Sequence, residues 1–254
     1  MIRSERDGDV VMITIERDER RNALDVAHCV ELRRAVEAAA AGGARALLVT
    51  GAGSAFCAGA DFDTVADPTF RPALYAMLYA LADAPLVSVA GIDGPAIGAG
   101  TQLALACDLR VATERSTFGV PTARYGLVVD PWTIDRLAAL AGGAAARSML
   151  LGASVLDGAE AHRVGLVDRL GDVASARAWA REIGGLAPLT LRYSKRVLDG
   201  APTGERLPLG AEPARPPGGP GWAAAAFEAV WSSDDLVEGQ RARTEKRPPR
   251  FEGR

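Results

Sequence analysis

Two short, continuous apolar runs constrain this chain most: ARALLVTG at 44–51 and PLVSVAGIDG at 85–94. Neither alternates with polar residues, so each reads as a strand covered on both faces. Each empties directly into a glycine-rich segment, 51–61 and 94–102. VVMITIERD (10–18) and LRVAT (109–113) have strand composition too. Between the strands lie helical stretches. Asp25 is placed to cap one carrying Val26, Val30, Leu32, Val36 and Ala40, ended by Gly42-Gly43; residues 70–82 form another. GAGTQLALACD (98–108) passes from loop into helix. Strand–helix–strand at this spacing predicts right-handed crossovers and a mainly parallel sheet. From about 131 the pattern is helical, with one strand expected near Val164–Asp168. The chain reads as α/β with a helical C-terminal part.

At 254 residues and 48% apolar, the chain suffices for one sizeable core. Its net charge of −3 gives no general attraction for nucleic acid, and none is expected as a partner. Cys29, Cys57 and Cys107 lie in apolar or small-residue stretches and suit reduced, packed thiols of a cytoplasmic protein. Two histidines, without Cys-x-x-Cys or His-Glu-x-x-His spacing, leave no metal site in prospect. The charged start is unlike a signal peptide. The most apolar stretch, Leu74 to Ile92, is interrupted by Asp83 and Pro85 and reads as a helix then a strand, with no membrane span. Residues 201–220 hold six of the 15 prolines and four glycines. That excludes a helix interior and predicts a loop or linker between helical blocks at Pro188–Leu198 and Trp222–Arg243, a surface insertion in preference to a substrate lid.

The two glycine-rich loops each leave the carboxyl end of a parallel strand, where backbone N–H groups face a common crevice. Small side chains in Gly98-Ala99-Gly100 let a ligand approach the backbone, and the helix that follows adds partial positive charge. One N–H from each loop would hold a carbonyl oxygen as it becomes an oxyanion. Gly-x-Gly-x-x-Gly is absent and so is a Walker lysine, so nucleotide-binding folds fit poorly.

At RNALD (21–25), AFCAGADF (55–62), AGIDGPAIGAGTQLALACDLRVAT (90–113), FGVPTARYGLVVD (118–130), LLGASVLDGAEAHRVGLVDRL (150–170) and EKRPPRF (245–251), the sequence resembles the enoyl-CoA hydratase/isomerase (crotonase) family. The stretches run in family order over nearly the whole chain and look most like an actinobacterial branch. The resemblance implies a crotonase-like spiral of ββα/βαβ units with a helical C-terminal trimerisation region. It divides the chain into an acyl-CoA-binding core (1–190) and a helical C-terminal region (191–254), and implies a homotrimer or dimer of trimers. Apolar faces at 131–152 and 222–243 fit such an assembly. The implied ligand is an acyl-CoA or enoyl-CoA of fatty-acid metabolism, with no other cofactor. The oxyanion hole would be the N–H groups of Ala60 and Ala99. Arg21, Ala23, Ala58, Ala60 and Asp61 would form walls for the CoA pantetheine and adenine. Lys246 would reach CoA phosphate, often from a neighbouring subunit.

Hydration of a 2-enoyl thioester needs two carboxyl groups around one water. By resemblance they belong at Gln102 and Thr122, and neither side chain exchanges a proton near neutral pH. Asp130 remains as a lone acid/base, at a position where some isomerases of the family carry their acid. Asp130-Pro131 also reads as a helix N-cap with proline at the first helical position. Asp61 reads as a loop-fixing residue, and Tyr125 as core packing in preference to a phenol presented to the pocket. Three readings stand: an acyl-CoA-binding protein with poor or absent hydratase activity, an isomerase or thioester-processing enzyme using Asp130, and a slow hydratase.

Overall fold

A computed structural model describes residues 1–199 and 222–254. The Pro/Gly-rich segment 201–220 lies outside the described residues. The apolar runs form the centre of a six-stranded sheet, as their composition requires. Its strands are β1 (Ile2–Asp7), β2 (Val10–Ile15), β3 (Ala46–Gly51), β4 (Val87–Ile92), β6 (Leu109–Ala112) and β9 (Arg169–Leu170), side by side in that order. All neighbours are parallel except the β1–β2 hairpin, which turns through Gly8 at φ +62°. A smaller sheet joins β5 (Pro95–Ile97) in parallel to β7 (Thr117–Gly119), which pairs antiparallel with β8 (Val155–Asp157).

Alternation along the buried strands divides the core. Val10, Ala46, Leu48, Val89 and Val111 face helix α6 (Val173–Gly184), which buries Ala176, Ala180 and Ile183 against them. Val11, Ile13, Leu47, Val49 and Ala90 face the larger cluster. That side is covered by α1 (Val26–Ala41), α2 (Phe70–Ala82) and α3 (Ala99–Ala106). Asp25 caps α1 by accepting the His28 N–H at 2.9 Å. Helix α4 (Pro131–Leu151) follows, bent at Gly142, where φ is +79°. Then come α5 (Gly158–Arg163), α7 (Pro188–Asp199), α8 (Trp222–Trp231) and α9 (Asp234–Glu245). No helix among the described residues is long and apolar enough to cross a membrane.

Three local expectations need correction. The strand expected near Val164–Asp168 lies at Arg169–Leu170, because Val164 ends α5 while Leu166 and Val167 turn into the core. The single helix expected over Trp222–Arg243 is two, because Ser233 caps a new helix by accepting the Leu236 N–H. Tyr125 is 57% exposed and so is not core packing. The three cysteines are buried and free, and burial pushes Cys57 and Cys107 up to about 12, which keeps them inert thiols.

Helix α7 crosses the 190/191 boundary and is tied to the sheet through buried Lys195, which donates to Leu86 O at 3.0 Å and Asp108 at 2.9 Å. Beside it, fully buried Arg110 donates to the carbonyls of Ala104, Cys107, Asp108 and Leu166 and pairs with Asp168 at 3.2 Å. Arg110→Met would keep the stem but strand these partners. It should lower stability by about 3–5 kcal/mol, read as a lower denaturant midpoint with an unchanged slope. A loss below about 1 kcal/mol would contradict this account of the network.

Candidate functional site

The turn 21–24 and the loop 55–61 build one wall of a cavity. Asn22 sits in the left-handed region, which asparagine tolerates, at φ +58°. Fully buried, it accepts the Arg17 N–H at 2.8 Å and donates to Ala52 O and Ala55 O at 2.8 and 2.7 Å. The turn then pairs with the loop: Ala58 N–H donates to Arg21 O, Leu24 N–H to Gly59 O, and Asp61 N–H to Leu24 O. In this parallel bridge Ala60 is the residue facing Leu24, so its own N–H points to the opposite side.

That opposite side is occupied by the second loop. Cys57 and Ala96 form a second parallel bridge, with Cys57 N–H donating to Pro95 O and Ile97 N–H to Cys57 O, each at 3.0 Å. Contact is so close that a Cβ on Gly100 would lie 2.0 Å from Cys57 O, and one on Gly59 would lie 2.9 Å from Ile97 O and 3.9 Å from Ala99 N. Gly100 therefore serves loop-to-loop packing and does not open the backbone to a ligand. Gly98 has open space around it and a φ of +56°; its N–H donates to Gly119 O. Ala99 is the first residue of α3, where helix N–H groups have no partner within the helix. Among the described residues, neither Ala60 N–H nor Ala99 N–H has a hydrogen-bond acceptor.

The cavity is about 1030 Å³ and is lined by Ala60, Ala99, Gln102, Thr122 and Asp130 together with Arg21, Ala23, Ala58 and Asp61. Sequence reasoning thus gathers nine candidates at one place. Lys246 is not among the lining residues. It ends α9, and the tail beyond it is anchored elsewhere, with Phe251 O accepting from Arg45 at the start of β3. Tyr125 and Phe62, both exposed and lining the cavity, pack with ring centroids 4.9 Å apart and planes tilted by 58°. Arg21 and Arg71, also lining, make no ion pair among the described residues.

Asp61 acts as the loop-fixing residue. Its carboxylate accepts the Asp63 N–H at 3.1 Å and pairs with Arg17 at 2.8 Å, while Arg17 also reaches Ala23 O and Asp25. The Asp63 N–H, then Arg17, hold it below the usual carboxylate range against the effect of burial.

Asp130 is 1% exposed and caps α4. Its Oδ1 accepts from both the N–H and the hydroxyl of Thr133, and its Oδ2 accepts from Tyr79 OH at 2.6 Å. Its N–H donates to Tyr75 OH at 2.9 Å. Gln102 joins through Nε2, which donates to Thr133 Oγ1 at 3.0 Å. Tyr75 and Tyr79 were absent from the sequence-based site. Their spacing of four on α2, which places two phenols on one face, was the available signal.

Two outcomes follow from this geometry. Gly100→Ala should lower stability by roughly 1–3 kcal/mol through overpacking against Cys57 O, measured by denaturant titration; a neutral change would mean the loops separate freely. The depressed Asp61 pKa contributes stability above the unfolded value of about 3.9, lost as pH falls through the folded value. Asp61→Asn should therefore be less stable than wild type at pH 7, with the gap closing only below about pH 4. A gap unchanged down to pH 2 would contradict the Arg17 pairing.

A family model for enoyl-CoA hydratase/isomerase matches residues 5–254. The Mycobacterium tuberculosis protein echA6, named a probable enoyl-CoA hydratase, is 44% identical over 247 residues, covering 96% of each chain. Among solved structures, an enoyl-CoA hydratase/carnithine racemase from Magnetospirillum magneticum superposes with a TM-score of 0.86 at 28% identity, over 100% of this chain and 96% of that one. An enoyl-CoA hydratase from Bacillus anthracis gives 0.86 at 26% identity, over 100% and 99%. By sequence along almost its entire length, and by the crotonase fold it shares with these structures, the chain belongs to the enoyl-CoA hydratase/isomerase family.

Proposed function

We propose that the protein is a cytoplasmic acyl-CoA-binding member of its family, serving fatty-acid metabolism, with poor or absent hydratase activity. The thioester oxygen is held by the N–H groups of Ala60 and Ala99, which have no other acceptor among the described residues. Arg21, Ala23, Ala58 and Asp61 form the wall along the pantetheine and adenine, and Arg21 is free to meet phosphate. The observation that carries the reading is the state of the acid/base positions. Gln102 and Thr122 line the cavity without a titratable proton. Asp130, the carboxylate that the sequence reading leaves as a lone acid/base, is committed to Thr133 and Tyr79 through both oxygens. Each acid/base group contributes roughly 10²–10⁴ in rate, so the oxyanion hole alone leaves little hydration.

Lys246 completes the ligand site only from a neighbouring copy, since it stands apart from its own cavity. Exposed apolar side chains lie on the C-terminal helices: Phe227, Trp231 and Val237 are 45%, 61% and 63% exposed. A homotrimer or dimer of trimers covers them and brings the tail to the adjacent CoA. Light scattering should give three or six copies; a stable monomer at micromolar concentration would contradict this.

Turnover tests the acid/base reading. Wild-type protein should hydrate crotonyl-CoA well below the 1–10³ s⁻¹ typical of enzymes, about two orders or more, while calorimetry detects saturated acyl-CoA binding. The double change Gln102→Glu with Thr122→Glu should raise the hydration rate, by less than the full roughly 10²–10⁴ per group, because the surroundings no longer orient the carboxylates. Efficient hydration by wild type would overturn the reading, and double-bond migration would transfer the chemistry to Asp130.

A further inference from the structure

Ala99 N–H has a helix behind it. The carbonyl of its own peptide, Gly98 O, accepts the Gln102 N–H at 3.0 Å, so this donor heads the aligned peptides of α3. Ala60 N–H has no helix. It belongs to the peptide Gly59–Ala60, whose carbonyl, Gly59 O, accepts the Leu24 N–H at 2.8 Å. Leu24 N–H belongs in turn to the peptide Ala23–Leu24, whose carbonyl, Ala23 O, accepts from Arg17 Nη1 at 2.9 Å. A trans peptide points its N–H opposite to its C=O. The guanidinium, two peptide groups and the Ala60 N–H therefore form one line of hydrogen-bonding groups, each donating in the same direction, toward the cavity.

The head of this line is held from several sides. Arg17 N–H donates to Asn22 Oδ1 at 2.8 Å, and Arg17 O accepts the Asn22 N–H at 2.9 Å. The Arg17 side chain is 17% exposed, and its other contacts are to Asp61 at 2.8 Å and Asp25 at 3.3 Å. These two carboxylates keep the guanidinium in place, and Arg17 offsets the charge of Asp61, the residue next to Ala60. Hydrogen bonds in series polarise one another, and a charged donor at the head makes the strongest bond of the series. The line stands behind Ala60 as α3 stands behind Ala99.

We propose that Arg17 is a positioning residue for oxyanion binding: its guanidinium, through the Ala23–Leu24 and Gly59–Ala60 peptides, orients and polarises the Ala60 N–H that meets the thioester oxygen. Arg17 is not among the residues lining the cavity, so it acts through the backbone and touches no ligand atom. The inference rests on the acyl-CoA reading of the cavity and adds a residue that the sequence reading left outside the site.

The test is calorimetric titration of the full chain with butyryl-CoA and with butyl-CoA, a thioether of the same chain length that lacks the carbonyl. Wild type should prefer the thioester about tenfold or more, the range of two hydrogen bonds to one oxygen. Arg17→Gln should cut that preference roughly threefold or more. In infrared spectra the carbonyl stretch of bound butyryl-CoA should be lowered in wild type and less so in the variant. General loosening of the loops would weaken both ligands alike and leave their ratio unchanged. Asp25→Asn keeps a helix cap and the Arg17 bond to Ala23 O, so it should retain the preference. If Arg17→Gln does not fold, Arg17→Lys decides: one ammonium must serve Asp61, Asp25 and Ala23 O without the guanidinium fork, so the ratio falls below wild type. A wild-type ratio in the Arg17 variant, or an equal loss in Asp25→Asn, overturns the inference and leaves the acyl-CoA reading standing. Binding by wild type without a thioester preference overturns the inference together with the oxyanion site, and failure to bind any acyl-CoA overturns the acyl-CoA reading as well.

Discussion

The site depends on one contact, the parallel bridge between Cys57 and Ala96 that locks two strand-end loops together. Neither loop alone would hold its geometry, because each is rich in residues with little side chain to pack. Backbone pairing does the work that packing does elsewhere. Cys57 supplies both an N–H and a carbonyl to the second loop, and the same carbonyl fills the space a side chain at residue 100 would need. With the bridge formed, Ala60 and Ala99 both line the cavity, and neither N–H has an acceptor among the described residues. In the proposed function these two donors would meet the thioester oxygen, and donors fixed by the backbone can stabilise an oxyanion without reorganisation.

On the far side of the cavity lies a hydrogen-bonded group built around Asp130. A carboxylate that caps α4 has both oxygens engaged by three donors from Tyr79 and Thr133. Such a group fixes the start of α4 against α2. Gln102 is wired into the same group through Thr133. Gln102 and Thr122, at the two positions where the family resemblance leads one to expect titratable residues, line the cavity with side chains suited to hydrogen bonding.

Much of this was legible in the sequence for a physical reason. Strands buried on both faces must be continuously apolar, so β3 and β4 announced themselves, and the loops that follow them had to be glycine-rich. Other elements had no such signature. Strand β1 is an exposed, charged edge whose residues 3–6 read as surface. Strands β5, β7 and β8 have three residues each, too short for a period to register. Gly98 and Gly100 look alike in sequence, and only the approach of Cys57 O separates a loop-packing glycine from an open one. Tyr75 and Tyr79 sit within a largely apolar helix, where an aromatic reads as core. Their importance appears once residue 130, more than fifty positions away, is brought against them.

The central claim is that the two bridged loops form one oxyanion-binding site for a thioester. A crystal structure of the protein with a saturated acyl-CoA tests it most directly. The account predicts the thioester oxygen about 3 Å from both the Ala60 and the Ala99 nitrogens. A thioester bound elsewhere in the cavity, or held by only one of the two, would contradict it.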